Sequence, residues 1–410
     1  MRLRDRLGAR SSASTPRPVA REGQNGGGWA QTRWTAPVGT PLVGVLGPSA
    51  VPRGMETLAV PDAATVAAAV RSLEGPAGDV ALDAPVDVHR PVVVLDIETS
   101  GLGASLVPFM VALAWHERGR MHLMQWTLHD ASAERAFLGE VFACLDGVLR
   151  PGSRLLSYNG KSFDLPRLRV RAQRLALGAG VPSQPHLDLM IPARRVLKGS
   201  LPNCRLGTLE AELLGHRRRG DMSGMEIAEL WERMVATPGL ATALANDADA
   251  DETLDPFLRE DIAGAQLHNR GDVWALCSLA TAVAGRLERP LCLAEAMGAA
   301  HHLRQIEAPT AAAAVLRPFV EEGGRPKAEV WVEAALQLAE LHRGMAEHAT
   351  AADLWRRVCD ASPGHVRAHD ALAKHLEHKE RRPDLALAVA KRSLAPCPRR
   401  IARLEKKTRG

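Results

Sequence analysis

Apolar and polar positions follow two different periods along this chain, and the places where the period changes outline its elements. Val92 to Ile97 is a nearly unbroken apolar run, closing in Asp96 and Glu98 in the stretch VVVLDIETSG. It reads as a central, buried strand followed by a turn. Phe109 to Leu128 reads as two strands around Glu117–Gly119, a hairpin signal. In SAERAFLGEVFACLDGVL the apolar Phe137, Val141, Leu145 and Val148 fall at helical spacing. SRLLSYNG then gives a short strand ending in a loop, and SFDLPRLRVRAQRLAL continues into a helix. HLDLMIPARRVL and RLGTLEAELLG read as further helical pieces. Strand, hairpin, helix, strand, helix is the order of an α/β unit with a mixed sheet flanked by helices.

Around that core, the pattern predicts the organisation. Residues 1–55 are rich in Ser, Gly, Pro and Arg and show no sustained period, which predicts a disordered basic segment. Residues 56–90 form a lead-in with a short helix around PDAATVAAAVRSL. The α/β domain is placed at 91–290 and a helical linker at 291–324. LAELHRGMAEHATAADLW begins at Leu338 and LAKHLEHKERRPDLALAV at Leu372, an offset of 34 residues. That is the period of tetratricopeptide repeats, with Leu338–Ala339 matching Leu372–Ala373 and Ala352 matching Ala386. An all-α helical-hairpin module is therefore expected over 325–400, with a basic tail at 401–410. The acidic segment Asp247 to Asp261 opens like a calcium loop, but Glu252 and Leu258 stand where that loop needs Gly and Glu, so it reads as a solvated loop.

Composition narrows the class. Hydrophobic residues at 46% and charged residues at 24% suit a globular chain, and at 410 residues two or more domains are expected. No run of about 18 apolar residues occurs, so no membrane helix is expected, and the Arg-rich start lacks the apolar stretch of a secretory signal. Six scattered cysteines without a CxxC pair predict free thiols in a reducing cytoplasm. Net charge is +5, with six Arg in residues 1–23 and thirteen Lys or Arg against five acids in residues 365–410. These basic ends are either phosphate-binding arms or solvated tails.

Chemistry enters with three short motifs. In a strand, Asp96 and Glu98 point the same way, and two like charges on one face need a cation, a proton or open water. Hard oxygen ligands select Mg²⁺ or Mn²⁺. YNGKSFDLPRL brings Asn159, Lys161 and Asp164 after a second strand; Asp164 is either a site acid or a helix-start acid meeting the dipole. LHNRGDVWAL carries His268 and Asp272 at i and i+4, on one helix face, with Asn269 between them. Trp231 and Trp274 read as core. Arg217 to Gly220, with Arg194, Arg195 and Lys198, form either a cationic approach for phosphates or solvated surface charge.

The ordered set, DxE after a strand, NxxxxFD after a second strand and HxxxD on a later helix, resembles the DEDD, or DnaQ-like, 3′-5′ exonuclease superfamily. With HLDLMIPARR and LPNCRLGTLEAELLG, the words from Val92 to Ala284 are similar to its YprB-type, ribonuclease H-like branch. The resemblance implies an RNase H-like fold and a nuclease acting on DNA or RNA. It implies two Mg²⁺ or Mn²⁺ ions held by Asp96, Glu98, Asp164 and Asp272. His186 and Asp188, in PHLDLM, take a supporting role. His268 is the candidate general base, but it stands four residues before Asp272, where the histidine-bearing members use five. Asn269 or a water network therefore stays open as its alternative. Asn159, Lys161 and Asn269 are the candidate substrate contacts. A non-catalytic nucleic-acid scaffold and an endonuclease are the competing functions. The C-terminal repeats are expected either to offer a surface to a protein partner or simply to pack against the nuclease domain.

Overall fold

A computed structural model of the chain describes residues 28–39, 41, 51–75, 91–101, 106–178, 184–245, 255–321 and 329–409. These group into two compact units. The first draws on residues 1–68, 86–189 and 205–281, and the second on 69–85, 190–204 and 282–410.

The first unit is built on a six-stranded mixed sheet: β1 (Trp29–Pro37), β2 (Val92–Thr99), β3 (Pro108–Glu117), β4 (Arg120–Leu128), β5 (Arg154–Ser157) and β6 (His186–Asp188). Their spatial order is β1-β4-β3-β2-β5-β6. The first four strands are antiparallel neighbours, whereas β5 runs parallel to β2, and β6 parallel to β5. The near-continuous apolar runs of β2 and β3 suit this central position. Leu95, Leu113 and Phe109 have no exposed surface. The β3–β4 hairpin closes through Arg118 and Gly119, at φ 49° and 71°. Positive φ at both central positions is the type I′ geometry whose twist matches the strands, and glycine takes the second position without strain.

Helices follow the strands along the chain. After α1 (Ala63–Glu74), α2 (Glu134–Val148) buries Phe137, Val141 and Leu145 as its spacing predicts. It is followed by α3 (Asp164–Arg174), α4 (Met190–Leu197), α5 (Gly224–Ala236) and α6 (Pro256–Glu288). Trp231 on α5 stacks on Phe109 with ring centroids 5.2 Å apart, and Trp274 on α6 is fully buried; both aromatics are core.

Several expectations need correction. Residues 29–37 are not disordered: β1 pairs with β4 along its whole length, with Trp29 and Trp34 buried. Its partner strand supplies the order that its Gly- and Ser-rich surroundings conceal. Residues 1–27, 40 and 42–50 of that segment lie outside the described residues. His186–Asp188 is a parallel strand rather than helix, three residues being too short to show a period. In the acidic segment, Pro256 to Asp261 forms the first turns of α6, and 246–254 lies outside the described residues. Residues 190–204 and 282–290, placed by sequence with the α/β domain, group with the second unit.

The second unit is helical. α7 (Leu293–Gln305) and α8 (Pro309–Glu321) already form a hairpin where a linker is expected. They are followed by the hairpins α9 (Glu329–Gly344) with α10 (His348–Ala361), and α11 (Val366–His378) with α12 (Pro383–Lys391). Leu338, Ala339, Leu372 and Ala373 are buried at equivalent places, as are Ala352 and Ala386, so the 34-residue offset marks positions with the same packing duty. The basic tail is a packed helix, α13 (Pro398–Arg409). Leu404 is fully buried, Arg403 and Lys407 bind Glu377 of α11, and Arg400 bonds Asp370. These cations are paired with acids on the neighbouring helix while Arg403 and Lys407 stay about half exposed. Among the described residues no helix is long and apolar enough to cross a membrane.

Candidate active site

Chain topology gathers the motifs in the first unit. Because β5 runs parallel to β2, the segment that leaves β5 starts beside the end of β2. The carboxyl ends of parallel strands are a common location for ligand sites in open α/β sheets. Asp96 and Glu98 share one face of β2, and the register against β3 shifts between Glu98 and Thr99. Such a bulge re-aims the side chains beside it.

Asp164 opens α3 and is buried at 4% exposure; its Oδ1 accepts a hydrogen bond from the backbone N–H of Ile97 at 3.2 Å. That bond ties the second motif to the first. The intervening loop is fastened from β6. Asp188 accepts from the backbone N–H groups of Asn159, at 2.8 Å, and Lys161, at 3.1 Å. His186 Nε2 lies 2.7 Å from Ser157 Oγ. Asn159 takes a left-handed φ of 68°, and its Oδ1 accepts from Ser162 Oγ at 2.7 Å. A Cβ on Gly160 would come within 2.2 Å of Ser157 Oγ, so no other residue fits that turn. The Lys161 side chain is exposed. Phe163, half-buried rather than anchored in the core, carries the Arg167 guanidinium 3.5 Å from its ring centroid.

The third motif lies on α6. His268 Nε2 is 3.8 Å from Glu98 Oε1 and 3.8 Å from Asp272 Oδ2. Asn269, fully buried, donates to Asp96 Oδ2 at 2.7 Å, and its own Oδ1 accepts from Gln125 at 2.8 Å. Gln125 in turn accepts from Arg270 at 2.8 Å, and the Arg270 guanidinium lies over the Trp34 ring. A buried relay therefore runs from Arg270 through Gln125 and Asn269 to Asp96. Asn269 acts on Asp96, and both ends of its amide are taken up, by Asp96 and by Gln125.

Three residues, one within RLGTLEAELLG and two shortly after it, were not legible as site residues. Arg218 is buried, with Nε donating to Glu210 at 2.9 Å and Nη2 to Asp272 Oδ1 at 2.6 Å. Glu210 has no exposed surface. Asp221 Oδ1 lies 2.9 Å from His268 Nδ1. Arg218 is thus neither a phosphate approach nor solvated charge but the counter-ion of two buried acids. Burial is affordable for it only because both partners are charged. Arg217 pairs with Glu212 at the surface.

The electrostatics show how closely the acids share one space. Burial pushes Asp96 well above the usual carboxylate range, and the charges of Asp272, Glu98 and Asp164 push it further. Glu98 is pushed up to about 8 by burial, with His268 opposing and Asp272 and Asp164 adding. Asp164 rises to about 7, again chiefly through burial. His268 responds in the opposite sense: burial disfavours its charge, but Asp272, the Asp221 hydrogen bond and Glu98 raise it to about 9. Among the described residues, no three His, Cys, Asp or Glu side chains are spaced as a ready-made metal cage. Asp272 is instead paired with Arg218. The donor set still fits divalent ions in its chemistry: hard carboxylate oxygens, buried, mutually repelling and short of positive charge.

Residues 93–284, which carry the mixed sheet and these acids, match the family model of the RNase H superfamily. Over a longer span, the chain is similar to the uncharacterized protein YprB of Bacillus subtilis (strain 168). The two are 27% identical over 315 residues, covering 73% of this chain and 68% of that protein.

Proposed function

We propose that this chain is a metal-dependent nuclease, a 3′-5′ exonuclease acting on single-stranded DNA or RNA. The observation that carries the reading is how contacts tie Asp96, Glu98, Asp164 and Asp272 together: Asp164 accepts from the N–H of Ile97 between the two strand acids, Asn269 donates to Asp96, and the neighbouring His268 lies 3.8 Å from both Glu98 and Asp272. A fold that only bound nucleic acid would have no use for so costly a cluster. Asp96, Glu98, Asp164 and Asp272 would hold two Mg²⁺ or Mn²⁺ ions. Bound there, the ions supply Lewis-acid activation of water and charge stabilisation of the scissile phosphate, and they offset the carboxylate field that keeps His268 protonated.

The chain's own residues do the rest. Asn269 and the Ile97 N–H fix the orientations of Asp96 and Asp164. Asp188 and His186 hold the loop that delivers Asp164. His268 presents Nε2 toward Glu98 and Asp272 and takes the proton from the attacking water. Asn159 and exposed Lys161 contact the substrate strand beside that loop. The helical hairpins of the second unit, tetratricopeptide-like in period, present a surface to a protein partner, and the cysteine usage suits the cytoplasm.

End-labelled single-stranded, duplex and hybrid substrates, with Mg²⁺ or Mn²⁺ and with chelator, test the proposal. The expected outcome is a metal-dependent ladder stepping from the 3′ end, absent in Asp96→Asn. Internal fragments would replace the exonuclease by an endonuclease. Equal traces for wild type and Asp96→Asn on every substrate would overturn the enzyme reading.

A further inference from the structure

We infer that Asp221, which belongs to none of the three motifs, is a positioning residue that aims His268 at the carboxylate cluster; the inference rests on the nuclease reading above. An imidazole on a helix can rotate about two side-chain torsions, and only one orientation directs Nε2 at the acids. Its contacts to Glu98 and Asp272, at 3.8 Å each, are too long to be hydrogen bonds and cannot hold the ring. The contact at hydrogen-bonding distance is on the other nitrogen, where Nδ1 faces Asp221 Oδ1 at 2.9 Å. The ring is therefore held from behind, and Nε2 is left toward the reacting side.

Asp221 is itself well placed for this duty. Its second oxygen lies 3.5 Å from Arg218 Nη1, and Arg218 is fixed by Glu210 and Asp272. Two residues further on, Ser223 caps α5 in a reciprocal capping box with Glu226, which pins the backbone that carries Asp221. The acid is thus anchored on both flanks, as an orienting group needs to be. The arrangement also answers the displaced histidine spacing. A base four residues before Asp272, rather than five, can still serve if a partner outside the helix sets its ring.

The test compares kcat and KM on a single-stranded oligonucleotide with Mn²⁺ for wild type, Asp221→Ala, Asp221→Asn, His268→Ala, the double alanine variant and Asp96→Asn. Removing a group that orients a reacting residue costs about 10- to 100-fold, so kcat of Asp221→Ala is expected to fall by that factor with KM within about twofold. Asp221→Asn keeps an oxygen acceptor and is expected to recover most of the loss. Adding Asp221→Ala to His268→Ala is expected to cost nothing further, because the acid acts through the ring. Should Asp221→Ala fail to fold, Asp221→Leu, close in size and without an acceptor, against His268→Ala/Asp221→Leu gives the same decision. A double variant slower than His268→Ala by the full single-variant factor would overturn the positioning role. So would a wild-type rate in Asp221→Ala beside an inactive Asp96→Asn, an outcome that leaves the nuclease reading standing. A wild type without metal-dependent activity would remove both.

Discussion

Glu377 and Asp164 are both carboxylates with almost no exposed surface, and they sit in opposite electrostatic surroundings. Glu377, on α11 of the helical unit, accepts from Arg403 at 2.9 and 2.7 Å and from Lys407 at 2.8 Å, and these bonds bring it down to about 2. Asp164, beside Asp96 and Glu98 in the α/β unit, is raised to about 7, mainly by burial. Cations surround the first acid, while backbone N–H groups and other acids surround the second, with the Arg167 charge the smaller influence. The first arrangement fastens one helix to another. The second costs stability as it stands, and a molecule keeps such an arrangement where binding or chemistry uses it. The difference teaches that burial alone does not mark a functional acid; burial without an adequate counter-charge does.

The largest effect should come from Asp164→Asn, which keeps the oxygen that accepts from Ile97. Loss of one ligand to a catalytic ion removes several kcal/mol of transition-state stabilisation, so the nuclease rate is expected to fall by about 10³-fold. Under chelator the same variant should melt no lower than wild type, because a like charge leaves a crowded site. A melting temperature well below wild type would place Asp164 with Glu377 as a structural acid and break the comparison.

A smaller effect is expected from the ions themselves. Binding to the native state alone contributes about 2.7 kcal/mol at a hundredfold excess over Kd, which raises the melting temperature by roughly 5–10 °C for a domain of this size. Chelator should reverse the shift, and Asp96→Asn should abolish it. The pH dependence of the chelated protein sharpens the contrast. Glu98, raised from 4.5 to about 8, binds more protons folded than unfolded between those values, and Asp164 does so up to about 7. Stability therefore falls as pH rises through that window, and His268, raised from 6.5 to about 9, adds to the fall; urea titrations at pH values of about 6 and about 8.5 measure it. A flat profile would mean that the site carries counter-charge beyond Arg218 and His268.

What the sequence could reveal of this site followed from local pattern. The DxE pair ends an apolar run, Asp164 follows a loop, and His268 and Asp272 share a helix face, so spacing alone puts each in view. Asp221, Arg218 and Glu210 escape that logic because they reach the site only through tertiary packing, two of them from a stretch without period and Glu210 from a short helical piece with no motif of its own. Arg218 sits in a run of three arginines that reads equally well as surface charge. The nearest local signal was the Ser223–Glu226 capping box, which fixes where α5 begins and hence where Asp221 stands. Gln125 looks like an ordinary hairpin residue until Asn269 is seen against it. β1 and β6 went unread for a related reason: one is hidden by composition, and the other is shorter than any period.

The smallest effect lies on the other side of the comparison, at Glu377. Here the folded carboxyl lies below its ordinary 4.5, so its contribution is fully present above about pH 4.5 and is lost as pH falls toward about 2. Arg403 and Lys407 are about half exposed, at 48% and 47%, and solvent screens their charges, so the pairing is worth about 1 kcal/mol rather than the full shift. Glu377→Gln should therefore lower stability by that amount at pH 7, with the loss concentrated in α13. Hydrogen exchange of Ile401 to Lys407 should quicken while exchange in α9 stays unchanged. At pH 2.5 the wild type should have lost most of its advantage over the variant. A difference between the two proteins that persists at that pH would mean that shape, not charge, fastens α13, and the contrast with Asp164 would then rest on the site alone.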